Sequence, residues 1–215
     1  MKKTFIAIGL IILIAVSVFV IADFTKDSPT DIHIDDNNKT SINVDGWLEI
    51  TKIYEYDGRL ALVAENVSDV DVEYALLTVK NKNDSYTFNI SALMRETKVI
   101  LVCNEDVGFN EDAIYTGWKT ENIIKFEKTP IINYGVFDIA ITDGSISVKN
   151  ISGNDITSDI FIYYKDKQDD MLNGSVTRRV RISGLKAESQ TYIKAENLNE
   201  DNCQIIFTEY DDKKV

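Results

Sequence analysis

The sequence predicts an all-β chain: two tandem antiparallel β-sandwich domains behind an N-terminal transmembrane helix. Three observations lead there. An unbroken apolar run of 18 residues stands near the start, strand-like runs bounded by turn residues fill most of the remainder, and two long segments repeat one another. After residue 22 no stretch of helical length carries a convincing helical period.

The apolar run, FIAIGLIILIAVSVFVIA, occupies residues 5–22. At about 1.5 Å per residue it spans about 27 Å, close to the hydrocarbon thickness of a bilayer. Lys2 and Lys3 precede it and Asp23, Asp27 and Asp31 follow it. The amino terminus is therefore expected in the cytoplasm and everything after residue 22 outside. The run is longer than the usual core of a signal peptide, so an uncleaved membrane anchor is expected over residues 1–22. The competing reading is a cleaved signal peptide, which leaves a secreted protein. Residues 23–45 carry Pro29, many polar residues and no sustained apolar period, which reads as a stalk. One module is expected over 46–128, starting near Gly46-Trp47, and a second over 129–215.

The modules are read from the repeat. Glu65-Asn66-Val67-Ser68 matches Lys149-Asn150-Ile151-Ser152 at an offset of 84. Each is followed by a polar break, DVD or GND, and then by a strand-like run, VEYALLTVK or ITSDIFIYYK. Farther on, FNISALMRETKVILV matches VRISGLKAESQTYIK at an offset of 92, pairing Ile90 with Ile182, Ser91 with Ser183, Leu93 with Leu185 and Glu96 with Glu188. The offset grows by eight because the second copy has a longer connection around DKQDDMLNGSVT. These matches define a duplicated supersecondary unit. Its runs LALVA, ALLTVK, SYTFNI and KVILV, and in the second copy GSISVKN, DIFIYYK, TRRVRI, TYIKA and QIIFTEY, are rich in β-branched and aromatic residues. Asp57-Gly58 and Asp143-Gly144 each precede such a run, as tight turns do. Short strands at close spacing are the pattern of a two-sheet sandwich. At about 80 residues each, the copies are expected to pack on one another and enlarge the buried area.

The second copy also carries Asn150, Ser152, Phe161, Tyr163, Tyr164, Leu185 and Glu188: a strand ending in Asn-x-Ser, an aromatic-apolar-Tyr run and a Leu-x-x-Glu turn. In this pattern it resembles the FxLYD-type modules of bacterial exported proteins. Lys165 stands where that pattern has aspartate, and Leu77, Val79, Lys80 and Asn81 hold the matching places of the first copy. The resemblance implies immunoglobulin-like extracytoplasmic modules of undefined ligand, with no catalytic residues to carry over.

The net charge of −12 makes the surface repel nucleic-acid phosphates, so no nucleic-acid partner is expected. No hydrolase, protease or phosphate-loop motif occurs, and His33, the single histidine, lies in the stalk. Neither an enzyme nor a cofactor is expected. Cys103 and Cys203, the two cysteines, form a disulfide between the halves or stand as separate thiols. Asn66 and Asn150 recur in the repeat, which points to side-chain bonding within a turn.

Two clusters are candidate sites. Arg178, Arg179 and Arg181 form the one basic cluster, with Arg179 and Arg181 on one strand face and Val180 and Ile182 toward the core. They read as charge protecting an edge strand, or as a contact for an anionic wall polymer or an acidic partner. Asp166, Asp169, Asp170 and Asn173 crowd the long connection and read as a solvated turn or as oxygen ligands for calcium on a hairpin tip. The expected function is non-catalytic: a membrane-anchored extracytoplasmic binding or scaffolding protein of the bacterial cell envelope, partnered by an envelope protein or wall polymer. The alternative is a small-ligand or calcium-binding ectodomain serving a transporter or sensor.

Overall fold

The structure is a computed structural model that describes residues 41–142, 144–168, 170–195 and 198–211. Every regular element among them is a strand: β1 (Ile42–Val44), β2 (Leu48–Tyr56), β3 (Arg59–Asn66), β4 (Val72–Asn81), β5 (Asp84–Leu93), β6 (Lys98–Val102), β7 (Tyr115–Lys125), β8 (Phe137–Thr142), β9 (Ser145–Asn150), β10 (Ile156–Gln168), β11 (Met171–Asn173), β12 (Arg178–Leu185), β13 (Gln190–Lys194) and β14 (Cys203–Tyr210). The expected anchor at residues 5–22, His33 and most of the expected stalk lie outside the described residues. Among those described, no helix is long and apolar enough to cross a membrane.

The first module sets β2-β3-β6 against β5-β4-β7. Alternation decides which side chains lie between them, because successive side chains on a strand point to opposite faces. Leu48 and Ile50 of β2, Leu60 and Leu62 of β3 meet Leu77 and Val79 of β4 and Phe88 and Ile90 of β5 in one core. Each such fully buried side chain contributes roughly 1.5–3 kcal/mol relative to exposure. The second module repeats the arrangement, with β8-β9-β13 against β12-β10-β14 and a core of Phe137, Ile146, Val148, Ile160, Ile162 and Ile182. Asp57 (φ 49°) and Gly58 (φ 73°) close the β2–β3 hairpin in the left-handed region, as the Asp-Gly reading requires.

Two expectations are corrected. The first module does not begin at Gly46: β1 pairs with β2 and buries Ile42 and Val44, within the segment read as stalk. Three residues of alternation among polar neighbours are too few to stand out. The repeat register also shifts by one. β10 takes three residues from Ile156 to Asp159 where β12 takes two, a β-bulge that β4 lacks. Beyond it Ala75 and Leu77 correspond to Ile160 and Ile162, and Lys80 corresponds to Lys165. Of the eight residues by which the offset grows, one is this bulge and seven lie in the connection.

That connection joins the modules. β10 runs on to Gln168, turns back as β11, and β11 pairs in parallel with β6 of the first module, Leu172 with Val99 and Asn173 with Ile100. One sheet thus continues from β1 through β6 and β11 into β10.

Candidate functional site

The residues that carry the repeat are used on their own backbone. Asn66 and Asn150 are both 0 % exposed. Asn66 Nδ2 donates to the carbonyls of Val70 (2.8 Å) and Leu93 (3.2 Å), and Asn150 Nδ2 to those of Asn154 (2.7 Å) and Leu185 (3.0 Å). In each copy the asparagine oxygen accepts the N–H (3.0 Å) and hydroxyl (2.7 Å) of the serine two residues on. Asp71 and Asp155 cap the backbone N–H of Arg95 and Ala187, both at 2.8 Å. Glu96 and Glu188 share a φ of 56°. The motif is a turn lock made twice, and it faces inward rather than toward a ligand.

The seam between the modules is the most constrained polar place in the fold. Lys165 is 1 % exposed, and its Nζ donates to the carbonyl of Ser91 in the first module (2.6 Å) and of Asn173 beside β11 (2.9 Å). Burial pulls its pKa from 10.5 to about 7, opposed by the neighbouring Asp166 carboxylate. Around it Ser91 N–H donates to the Gly174 carbonyl (2.9 Å), Gly174 N–H to Ile100 (2.7 Å), and Val102 N–H to Ser175 Oγ (3.0 Å). A Cβ on Gly174 would stand 2.4 Å from Val99 Cγ2, so only glycine allows this approach. Periodicity and motif point to neither Lys165 nor Gly174 as a site; the available signal is a lysine closing an otherwise aromatic strand.

The basic cluster lies on β12, whose only strand partner among the described residues is β10, so it occupies a sheet edge there. Ile182 enters the core and Val180 packs on it, whereas all three arginines are exposed. Each has an internal partner. Arg178 pairs with Asp166 (3.0 Å), Arg181 with Asp159 (2.8 Å), and the Arg179 guanidinium sits 4.8 Å from the Phe161 ring centre. Tyr163 extends this face, stacking on Phe207 at 4.1 Å and donating to Glu209 at 2.7 Å. The result is a strip of aromatic and arginine side chains whose charges are largely compensated.

Of the expected calcium ligands, Asp166, Asp170 and Asn173 are among the described residues. Asp166 is engaged by Arg178, and the Asn173 side-chain oxygen accepts the N–H of Ser175 (2.9 Å). Asp170 takes the turn at φ 64°, and Asp169 lies outside the described residues. Among the described residues no three His, Cys, Asp or Glu gather as metal ligands. The Asn173 backbone carbonyl accepts from Lys165 Nζ. The cysteines are apart: Cys103 belongs to the first core and Cys203 to the second, and no disulfide joins them. Burial, with a hydrogen bond to Glu105 (3.1 Å), pushes the Cys103 thiol up to about 12.

Comparison with protein-family models, with curated proteins and with solved structures finds no match for the chain.

Proposed function

We propose that this chain is a non-catalytic, membrane-anchored scaffolding protein of the bacterial cell envelope, whose two tandem immunoglobulin-like modules act as one stiff ectodomain. The seam carries this reading. Modules that only need to be tethered have no use for a shared sheet or a lysine buried between them, whereas a spacer that sets distance and direction does. The repeated residues serve turns, which leaves the outer surface rather than a shared motif to meet a partner. The face of half-buried Phe161 and Tyr163 with exposed Arg179 and Arg181, along the edge strand β12, suits an envelope protein or wall polymer: aromatic and arginine side chains are the types enriched at interfaces.

In-cell crosslinking of the full-length chain, read by mass spectrometry of the membrane fraction, tests this, with Arg179→Glu/Arg181→Glu as control. A recurrent envelope protein or wall polymer, lost in the double variant, is the expected result. Recovery of the chain only in the soluble fraction, or an unchanged crosslink in the double variant, overturns respectively the anchoring and the face.

A further inference from the structure

A cavity of about 280 Å³ opens beside the seam, between the β2–β3 turn, the end of β6 and the β11 hairpin. Its walls include Asp57, Arg59, Asn89 and Asn104 from the first module and Asn173 and Ser175 from the second. The chain has five arginines. Arg95, Arg178 and Arg181 each hold a carboxylate, and Arg179 lies over Phe161. Arg59 differs: among the described residues its guanidinium donates once, from Nη2 to the Cys103 carbonyl, and its buried Nε has no acceptor. In a chain with 35 acidic residues, a half-buried guanidinium without an anion is an open demand for one, because charged donors lose most when left unsatisfied.

Asp57 faces the same cavity and forms no ion pair with Arg59 or with any other described residue. Among the described residues the Nδ2 groups of Asn89 and Asn173 have no acceptor, while Tyr74 and Ser175 donate to their oxygens. A simple anion would satisfy Arg59 but lie against Asp57, and a simple cation would do the reverse. A small molecule with both charges satisfies both walls. We infer that the seam cavity is a binding site for a small zwitterion of amino-acid type, with Arg59 taking the carboxylate and Asp57 the ammonium. A guanidinium fork suits a carboxylate, and the free amide donors supply the remaining hydrogen bonds. Because both modules form the walls, such a ligand binds the docked arrangement and stabilises it by mass action. Nothing in this site depends on membrane location.

The test is titration of the detergent-solubilised full chain with L-alanine, acetate and methylamine, followed by NMR of the Arg59 Nε–H. Saturable movement of that resonance by L-alanine is expected, with acetate and methylamine at least about tenfold weaker. Asp57→Asn keeps a residue that tolerates φ 49° and should weaken L-alanine about tenfold, to the level of acetate. Arg59→Met, followed through the Asn173 side-chain amide in the same cavity, should show no saturable shift with L-alanine. No movement of the Arg59 Nε–H in the unaltered chain up to roughly 10 mM L-alanine, or acetate binding as tightly as L-alanine, overturns the inference.

Discussion

Lys80 and Lys165 hold the same position of the repeat, each near the end of the long central strand of its module. Lys80 is exposed, and Lys165 is 1 % exposed. The strands around them differ little; the connections after them differ greatly. After β4 the chain reverses at once through Lys82 (φ 54°) into β5, so the Lys80 stem only skirts Gly117. After β10 the seven additional residues build β11 and seat it on β6, which turns the outward face of β10 into an interface. Lys165 still points away from its own core; another core's flank has been brought over it. Positions that repeat hold each module together, and positions that do not repeat hold the two modules to each other.

The largest expected effect tests the first half of that contrast. Asn66→Ala and Asn150→Ala each remove the side-chain donor to one buried carbonyl, Leu93 or Leu185, and one of the donors to a less buried one, Val70 or Asn154, and each should cost about 3 kcal/mol of its module's stability in denaturant unfolding. A cost confined to one copy would break the equivalence of the locks. Gly174→Ala comes next. Its Cβ would press on Val99 and Leu101, so a loss of about 2 kcal/mol is expected, together with faster hydrogen exchange at the Ser91 and Gly174 amides. Unchanged exchange there would show that β11 does not hold the seam.

Lys165 supplies the third test. The pKa of Lys165 is lowered by folding, so between about 7 and 10.5 the unfolded chain binds the proton that the native chain has released. Stability therefore rises with pH through that window, and below about 7, where both states hold the proton, the gain is absent. A neutral amine retains two N–H donors for its two carbonyls, so losing the proton breaks neither bond. The ionisable group acting on it is Asp166, itself paired with Arg178. Unaltered protein should gain about 1 kcal/mol more than Lys165→Met between roughly pH 6 and 8. The smallest effect concerns the edge: Arg181→Ala removes an exposed ion pair to Asp159 and should cost at most about 0.5 kcal/mol, so loss of partner crosslinking in it would report the contact rather than stability.

Much of this was legible in the residues. The runs LALVA, ALLTVK, SYTFNI, KVILV and their second-copy counterparts are β3–β6, β9, β10 and β12–β14, because alternation of apolar residues on a half-buried strand is a local pattern. Strand β7 was not, since TGWKTENIIK is mostly exposed and is held as a strand by pairing with β4 through three register shifts. The placing of Arg179 and Arg181 outside Val180 and Ile182 came from alternation, but their internal partners Phe161 and Asp159 depend on the register of β10 against β12. The partners of Asp166 and Asn173, read from sequence as oxygen ligands, depend on the same register: Arg178 holds the Asp166 carboxylate and the Ser175 N–H donates to the Asn173 side-chain oxygen.

By itself, then, the sequence determined the β class, the duplication and the Asn-Ser locks, all carried by side chains whose main partners lie within a few residues and recur at fixed offsets. Only the tertiary structure decided that one of two equivalent lysines is buried, that Gly174 meets Val99, and that Arg59 and Asp57 share a cavity with residues more than 100 positions away. The physical reason is that burial and charge compensation belong to the surface brought opposite a residue, and that surface was set by a connection lengthened by seven residues, which docks one module on the other.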